Sequence, residues 1–179
     1  AFVSDVARIE ALYQYGGFYM DTDVEVLKSF NPLLEAQCIL GMEEKEYVAT
    51  SFMAFEKGHS LVKEFLNLYE HLSFLDEKGQ IIAGTNVAKL TKMLKEKGFV
   101  QENHYQELEN GIQIYPKEFF SPYDYINCHY NITENSYCVH HFAVSWMSKK
   151  EQVKKGIKKR IVKILGPEKM NGIREKLKR

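Results

Sequence analysis

Apolar residues recur at helical spacing from the start of the chain: Val6, Ile9, Leu12 and Tyr13 share one face, and Gly16-Gly17 ends the run. A short apolar strand, Phe18-Tyr19-Met20, then runs directly into Asp21-Thr22-Asp23-Val24-Glu25-Val26, which puts acid at a strand's end. Asn31-Pro32 breaks the next segment. Cys38 to Gly41 and Ser51 to Phe55 have strand length, and Leu61, Phe65, Leu68 and Leu72 mark one face of an amphipathic helix. A small-residue turn over 81–86 leads into a third helix, with Val87, Leu90 and Leu94 on one side and Gly98 at its end. Ile112, Ile114 and Tyr115 predict a strand that stops at Pro116, and residues 137–142 predict another. Alternating helices and strands of this length predict an α/β domain.

From Lys149 onward the pattern changes. Val153, Ile157, Ile161, Ile164 and Leu165 fall on one side of a helix, with Lys154, Lys155, Lys158, Lys159, Arg160 and Lys163 around the rest. Residues 149–179 hold 13 Lys/Arg against 3 Asp/Glu, although the whole chain balances 24 against 24, so an acidic body carries a basic tail. Such a helix suits an anionic membrane surface, and packing against the acidic body is the rival reading. Nucleic acid is not expected as a partner, because no aromatic residues are interleaved with the cations.

With 179 residues, 45% of them apolar, the chain can bury one sizeable core but hardly two. It opens with Ala-Phe-Val-Ser-Asp, and no stretch has the apolar length of a membrane span, so neither a signal peptide nor a spanning anchor is expected. Cys38, Cys128 and Cys138 cannot all pair, which fits a reducing compartment.

Residues two apart in a strand point to the same face, so an extended Asp21-Thr22-Asp23 would present two carboxylates together. A hard divalent cation is held by one or two carboxylates while substrate phosphate oxygens complete its shell, and it offsets charge on a leaving phosphate. A bare acidic triplet is weak as a signal, and a solvated turn is the plain alternative. Its surroundings are more specific. The block from Ser4 to Asp23, SDVARIEALYQYGGFYMDTD, closely resembles the sugar-binding region of the DXD glycosyltransferases, which include bacterial capsular polysaccharide transferases and, more distantly, the glucosyltransferase domains of large clostridial toxins. The resemblance continues more loosely through Tyr115-Pro116 and Phe119-Phe120-Ser121-Pro122 to the stretch from His140 to Trp146.

That resemblance implies a GT-A-like, Rossmann-related fold, a nucleotide-diphosphate-sugar donor, Mn²⁺ or Mg²⁺, and transfer with retention to a glycan or lipid-linked acceptor in capsular or surface polysaccharide synthesis. The unpaired cysteines and the basic tail together predict a cytoplasmic protein, peripheral on the inner membrane face. By the family pattern Asp5 and Arg8 reach the donor sugar, and a helical ion pair is the alternative. Asp21 and Asp23 take the catalytic metal, phosphate and ribose contacts, Asp23 being the direct ligand, and His140 completes the metal shell. Ser145 and Trp146 clasp the diphosphate when a terminal loop closes; a lone Trp is otherwise a core or edge aromatic. Thr85 and Asn86 either meet the donor or acceptor or simply cap a helix. Family members place their first strand and much of the base pocket upstream, so the expectation is a catalytic core over 1–148, N-terminally truncated and without its first nucleotide-binding strands, followed by a basic helical tail over 149–179.

Three rival chemistries are weaker. A structural zinc could draw on Cys128, His129, Cys138, His140 and His141, but no Cys-x-x-Cys pair is present. Nothing marks a cysteine as an activated nucleophile. A phosphatase of the haloacid dehalogenase type wants Thr or Val where Glu25 stands, and a later Gly-Asp-x-x-x-Asp that this chain lacks. A non-catalytic sugar- or metal-binding remnant is the alternative from another class.

Overall fold

A computed structural model describes residues 2–44, 46–70, 73, 78, 84–124, 127–143, 149–166 and 169. Helix α1 spans Phe2–Tyr15 and is reversed at Gly16, whose φ of 69° is left-handed. A Cβ there would lie 2.7 Å from the Lys57 backbone nitrogen, so the helix can end this close to the following chain only on glycine. Strand β1, Gly17–Met20, then runs back alongside α1. After it come β2 (Val24–Val26), a 3₁₀ turn over Asn31–Leu33, β3 (Cys38–Glu44), β4 (Tyr47–Phe55), α2 (Ser60–Glu70) and α3 (Asn86–Glu96). The chain continues through β5 (Gln106–Leu108), β6 (Ile112–Tyr115), α4 (Lys117–Phe120), β7 (Tyr123–Asp124), β8 (His129–Tyr130), β9 (Cys138–His140) and α5 (Lys149–Leu165).

The central sheet has the order β1-β4-β3-β6-β5. It is mixed: only β3 and β6 pair in parallel, and the other neighbours are antiparallel. Strand β4 is buried at every position after Tyr47, as a strand covered on both faces must be. On one face Leu40, Met42, Met53 and Phe55 pack against Ile9 and Leu12 of α1, Leu61 and Phe65 of α2 and Leu90 and Leu94 of α3. On the other, Ile39, Phe52 and Ala54 meet Phe120, Leu33 and Cys138 in an aromatic layer, where the Phe52 and Phe120 rings stack at 4.0 Å. Gly41 makes that layer possible, since a Cβ at this position would come within 2.7 Å of the Phe120 ring.

Two sequence expectations are corrected. Leu68 was placed on the inner face of its helix, but it is 40% exposed, and Leu61, Val62, Phe65 and Tyr69 form the buried face; Leu72 lies outside the described residues. The strand expected over 137–142 is shorter, because β9 ends at His140 and Phe142 takes a left-handed φ of 49°. The pairing of β2 with β9 sets Val24 opposite His140 and Val26 opposite Cys138, which joins the early acidic segment to the late histidines.

Candidate active site

The reversal at Gly16 returns the end of β1 to the side of α1, and Arg8 fills the space between them. One guanidinium nitrogen lies 3.1 Å from Asp5, one turn earlier on the same helix. The other donates to Asp21 and to the Thr50 carbonyl, each at 2.9 Å. Thr50 falls in the stretch where the register between β3 and β4 slips. The planar fork of arginine can serve several acceptors at once, which a lysine cannot do. Tyr19 donates its hydroxyl to the same Asp21 oxygen at 2.7 Å, and its ring lies beneath the guanidinium at 4.8 Å. Asn86, the first residue of α3, donates its side-chain amide to Asp5 at 2.9 Å.

This network is largely withdrawn from solvent, with the Arg8 and Asp5 side chains 10% and 15% exposed. Burial raises the Asp5 pKa above its ordinary value even though Arg8 pulls it down, and the negative charge of Asp21 adds to the rise. Burial and the bond to Asp21 likewise push Tyr19 well above a normal phenol, which keeps it a hydroxyl donor. Two carboxylates share one guanidinium, so the site keeps an excess negative charge.

Asp21 and Asp23 do not meet through strand alternation, as the sequence suggested. Residues 22 and 23 form a turn, closed by Val24 N–H donating to the Asp21 carbonyl at 3.0 Å. The β2–β9 pairing then supplies the third partner. His140 Nε2 lies 3.3 Å from Asp23, and its Nδ1 lies 3.1 Å from Glu43 on β3. Backbone N–H groups hold Asp23 from behind: Ala143 donates to its carboxylate at 2.8 Å and His141 to its carbonyl at 3.0 Å. Burial alone would lower the His140 pKa, but the hydrogen bond and charge of Glu43, with Asp23 and Asp21 beyond, outweigh it and raise it.

Asp21, Asp23 and His140 thus offer three ligand atoms within 4.8 Å of one another. Two carboxylates and an imidazole fit Mn²⁺ well, and Mg²⁺ less well because it favours an all-oxygen shell. The contact between Glu43 and Nδ1 leaves Nε2 facing the carboxylates, as in metal sites where a carboxylate orients a ligating histidine.

Of the remaining sequence candidates, Thr85 accepts the Ala88 N–H at 3.2 Å and caps α3, so its hydroxyl serves the helix. Ser145 and Trp146 lie outside the described residues. The zinc set does not assemble: Cys138 is buried and directs its thiol to the Phe120 carbonyl, and His141 is held between Glu25 at 2.8 Å and Tyr130 at 2.9 Å. Sequence reasoning missed Glu43, Tyr19 and the Thr50 carbonyl. The one available signal was Glu43-Glu44, a pair of acids closing an otherwise buried apolar strand.

Residues 1–40, which carry Asp5, Arg8, Tyr19, Asp21 and Asp23, match a family described as the glycosyltransferase sugar-binding region containing the DXD motif. This segment is therefore similar to the sugar-binding region of the DXD glycosyltransferases. Over 125 residues the chain is 32% identical to lactosylceramide 4-alpha-galactosyltransferase of Mus musculus, covering 70% of this chain and 33% of that protein. The Homo sapiens protein of the same name is 30% identical over 121 residues, 67% of this chain and 32% of its own length. Inositol phosphoceramide mannosyltransferase 3 of Schizosaccharomyces pombe is 30% identical over 71 residues, 40% of this chain and 20% of that one. The chain thus spans about a third of the mammalian relatives and a fifth of the yeast one. No solved structure matches it significantly.

Proposed function

We propose that the protein transfers a hexose from a nucleotide-diphosphate-sugar to a lipid-borne or glycan acceptor, with retention of anomeric configuration and with Mn²⁺ as the preferred cofactor. The single observation that carries this reading is the convergence of Asp21 and Asp23, which lie in the segment that matches the DXD region, with His140 from the far end of the chain, beside the half-buried Asp5–Arg8–Asn86 network. When bound, the metal offsets charge on the leaving diphosphate. Asp21, Asp23 and His140 would hold it, with Glu43 orienting His140.

Arg8 holds Asp5 and Asp21 close and offsets part of their mutual repulsion, so the metal ligand and the sugar-binding carboxylate stand on one fixed frame. Asp5 accepts from sugar hydroxyls, and Asn86 holds its carboxylate in orientation. Ser145 and Trp146 lie outside the described residues, and a role for them at the donor diphosphate belongs to this proposal through the family resemblance alone. The relatives' names refer to galactose or mannose transfer and to ceramide lipids, which favours those two hexoses and a glycolipid acceptor. The role in capsular or surface polysaccharide synthesis belongs to this proposal through the family resemblance alone.

The test is a screen of donor hydrolysis across nucleotide sugars with Mn²⁺ or EDTA, and with Asp23→Ala as control. Mn²⁺-dependent release of one hexose, lost in the variant, is expected. Donor binding with no turnover in any condition would instead support a non-catalytic sugar-binding role.

A further inference from the structure

The apolar stripe of α5 faces away from the protein. At about 100° per residue, Val153, Ile157, Ile161 and Ile164 fall within roughly a quarter-turn of one another. They are 61%, 54%, 41% and 81% exposed. Val162 lies on the opposite side of the helix and is only 4% exposed. A helix that packed on the acidic body by its apolar stripe would show the reverse. Lys154 and Arg160 flank the stripe in solvent, and from Lys149 to Leu165 Glu151 is the only acidic residue against eight cations.

An apolar stripe bordered by cations matches the boundary between lipid headgroups and acyl chains. The isoleucines would enter the boundary while the cationic stems reach back to phosphate. Among the described residues no helix is long and apolar enough to cross a membrane, so α5 is suited to lying on a bilayer. Nucleic acid explains the cations but leaves four exposed apolar side chains without purpose. We propose that α5 is an interfacial docking helix that binds the surface of anionic bilayers through Val153, Ile157, Ile161 and Ile164, with Lys154 and Arg160 holding the headgroups. This surface is independent of the transfer reaction, so its test and that of the proposed activity succeed or fail separately.

The experiment is flotation of the whole chain with vesicles of phosphatidylcholine alone, or of phosphatidylcholine mixed with phosphatidylglycerol. Binding should require the anionic lipid and fall by roughly tenfold in Lys154→Glu/Arg160→Glu. It should fall at least as far in Ile157→Ser/Ile164→Ser, whose cations are intact, with the melting temperature unchanged because both side chains are already in solvent. Equal binding by the serine variant would overturn the proposal, since attraction would then be electrostatic without insertion. No binding to the anionic vesicles, or a shift of a labelled RNA that the serine variant reproduces, would overturn it as well.

Discussion

Glu43 and His140 stand 97 residues apart in the chain, yet their side chains meet at 3.1 Å, and the pair is 14% and 12% exposed. The contact fixes which imidazole nitrogen faces Asp23. Replacing Glu43 with Ala should weaken Mn²⁺ binding by roughly ten- to a hundredfold, the usual cost of removing a carboxylate behind a ligating histidine. Glu43→Gln, which keeps an acceptor, should recover part of the loss. Titration of the Mn²⁺ electron paramagnetic resonance signal reads both, and equal affinities in all three proteins would deny Glu43 this role.

Arg8 bonds to Asp5 on α1, to Asp21 just after β1 and to the Thr50 carbonyl on β4. Arg8→Ala leaves two poorly solvated carboxylates facing each other and should cost about 3 kcal/mol of stability. Arg8→Lys should restore only part of that, because a point charge cannot span the acceptors. Chemical denaturation without metal measures the loss, and Mn²⁺ should stabilise Arg8→Ala more than the parent by relieving the same repulsion.

Stability without metal should depend on pH with a definite sign. The folded protein raises the His140 pKa above 6.5, so this group's contribution is complete below that value and is lost as pH rises through the raised one. Asp5 is also raised, from 3.8, so the fold favours its neutral form and loses stability as pH climbs through that lower window. The EDTA-treated protein should therefore melt lower in mildly alkaline than in mildly acidic buffer, and His140→Gln should flatten the upper part of the slope. With Mn²⁺ present the trend should reverse, because the proton competes with the metal for the imidazole.

Gly41→Ala pushes a methyl group into the Phe120 ring and should cost about 1–3 kcal/mol. Differential scanning calorimetry would record this as a lower melting temperature. Phe120→Leu in the same background should recover part of the loss by making room.

The three thiols should separate by reactivity. Cys38 and Cys138 have no exposed surface, and burial pushes both thiols up, Cys138 to about 12, so neither presents a thiolate near neutral pH. Cys128 is only partly buried. Ellman's reagent should titrate one thiol in the native protein and all three after unfolding.

How far each of these features could be read from sequence depended on its range. Helix α1, the Gly16 stop and strand β1 follow from local periodicity and backbone chemistry, whereas Asp5 and Arg8 stand out beside the acidic pair only through the resemblance to the DXD family. The partners that complete the cluster come from β3, from the slipped stretch of β4 and from β9. Their arrival depends on strand pairing across long separations, and no single segment records that pairing. Asp21 and Asp23 were paired through strand alternation, but a turn and the late histidine bring their carboxylates together. On α5 the periodicity identified the apolar stripe, but periodicity carries no information about whether that stripe meets protein or solvent.

The most direct measurement of the central claim is a Mn²⁺ titration of the parent chain, Asp23→Ala and His140→Ala, followed by electron paramagnetic resonance. The geometry predicts one bound Mn²⁺ per parent chain, abolished by Asp23→Ala and strongly weakened by His140→Ala, with both variants folded by circular dichroism. A parent chain that binds no Mn²⁺, or folded variants that bind it as tightly as the parent, would contradict the assignment of Asp21, Asp23 and His140 as the metal centre.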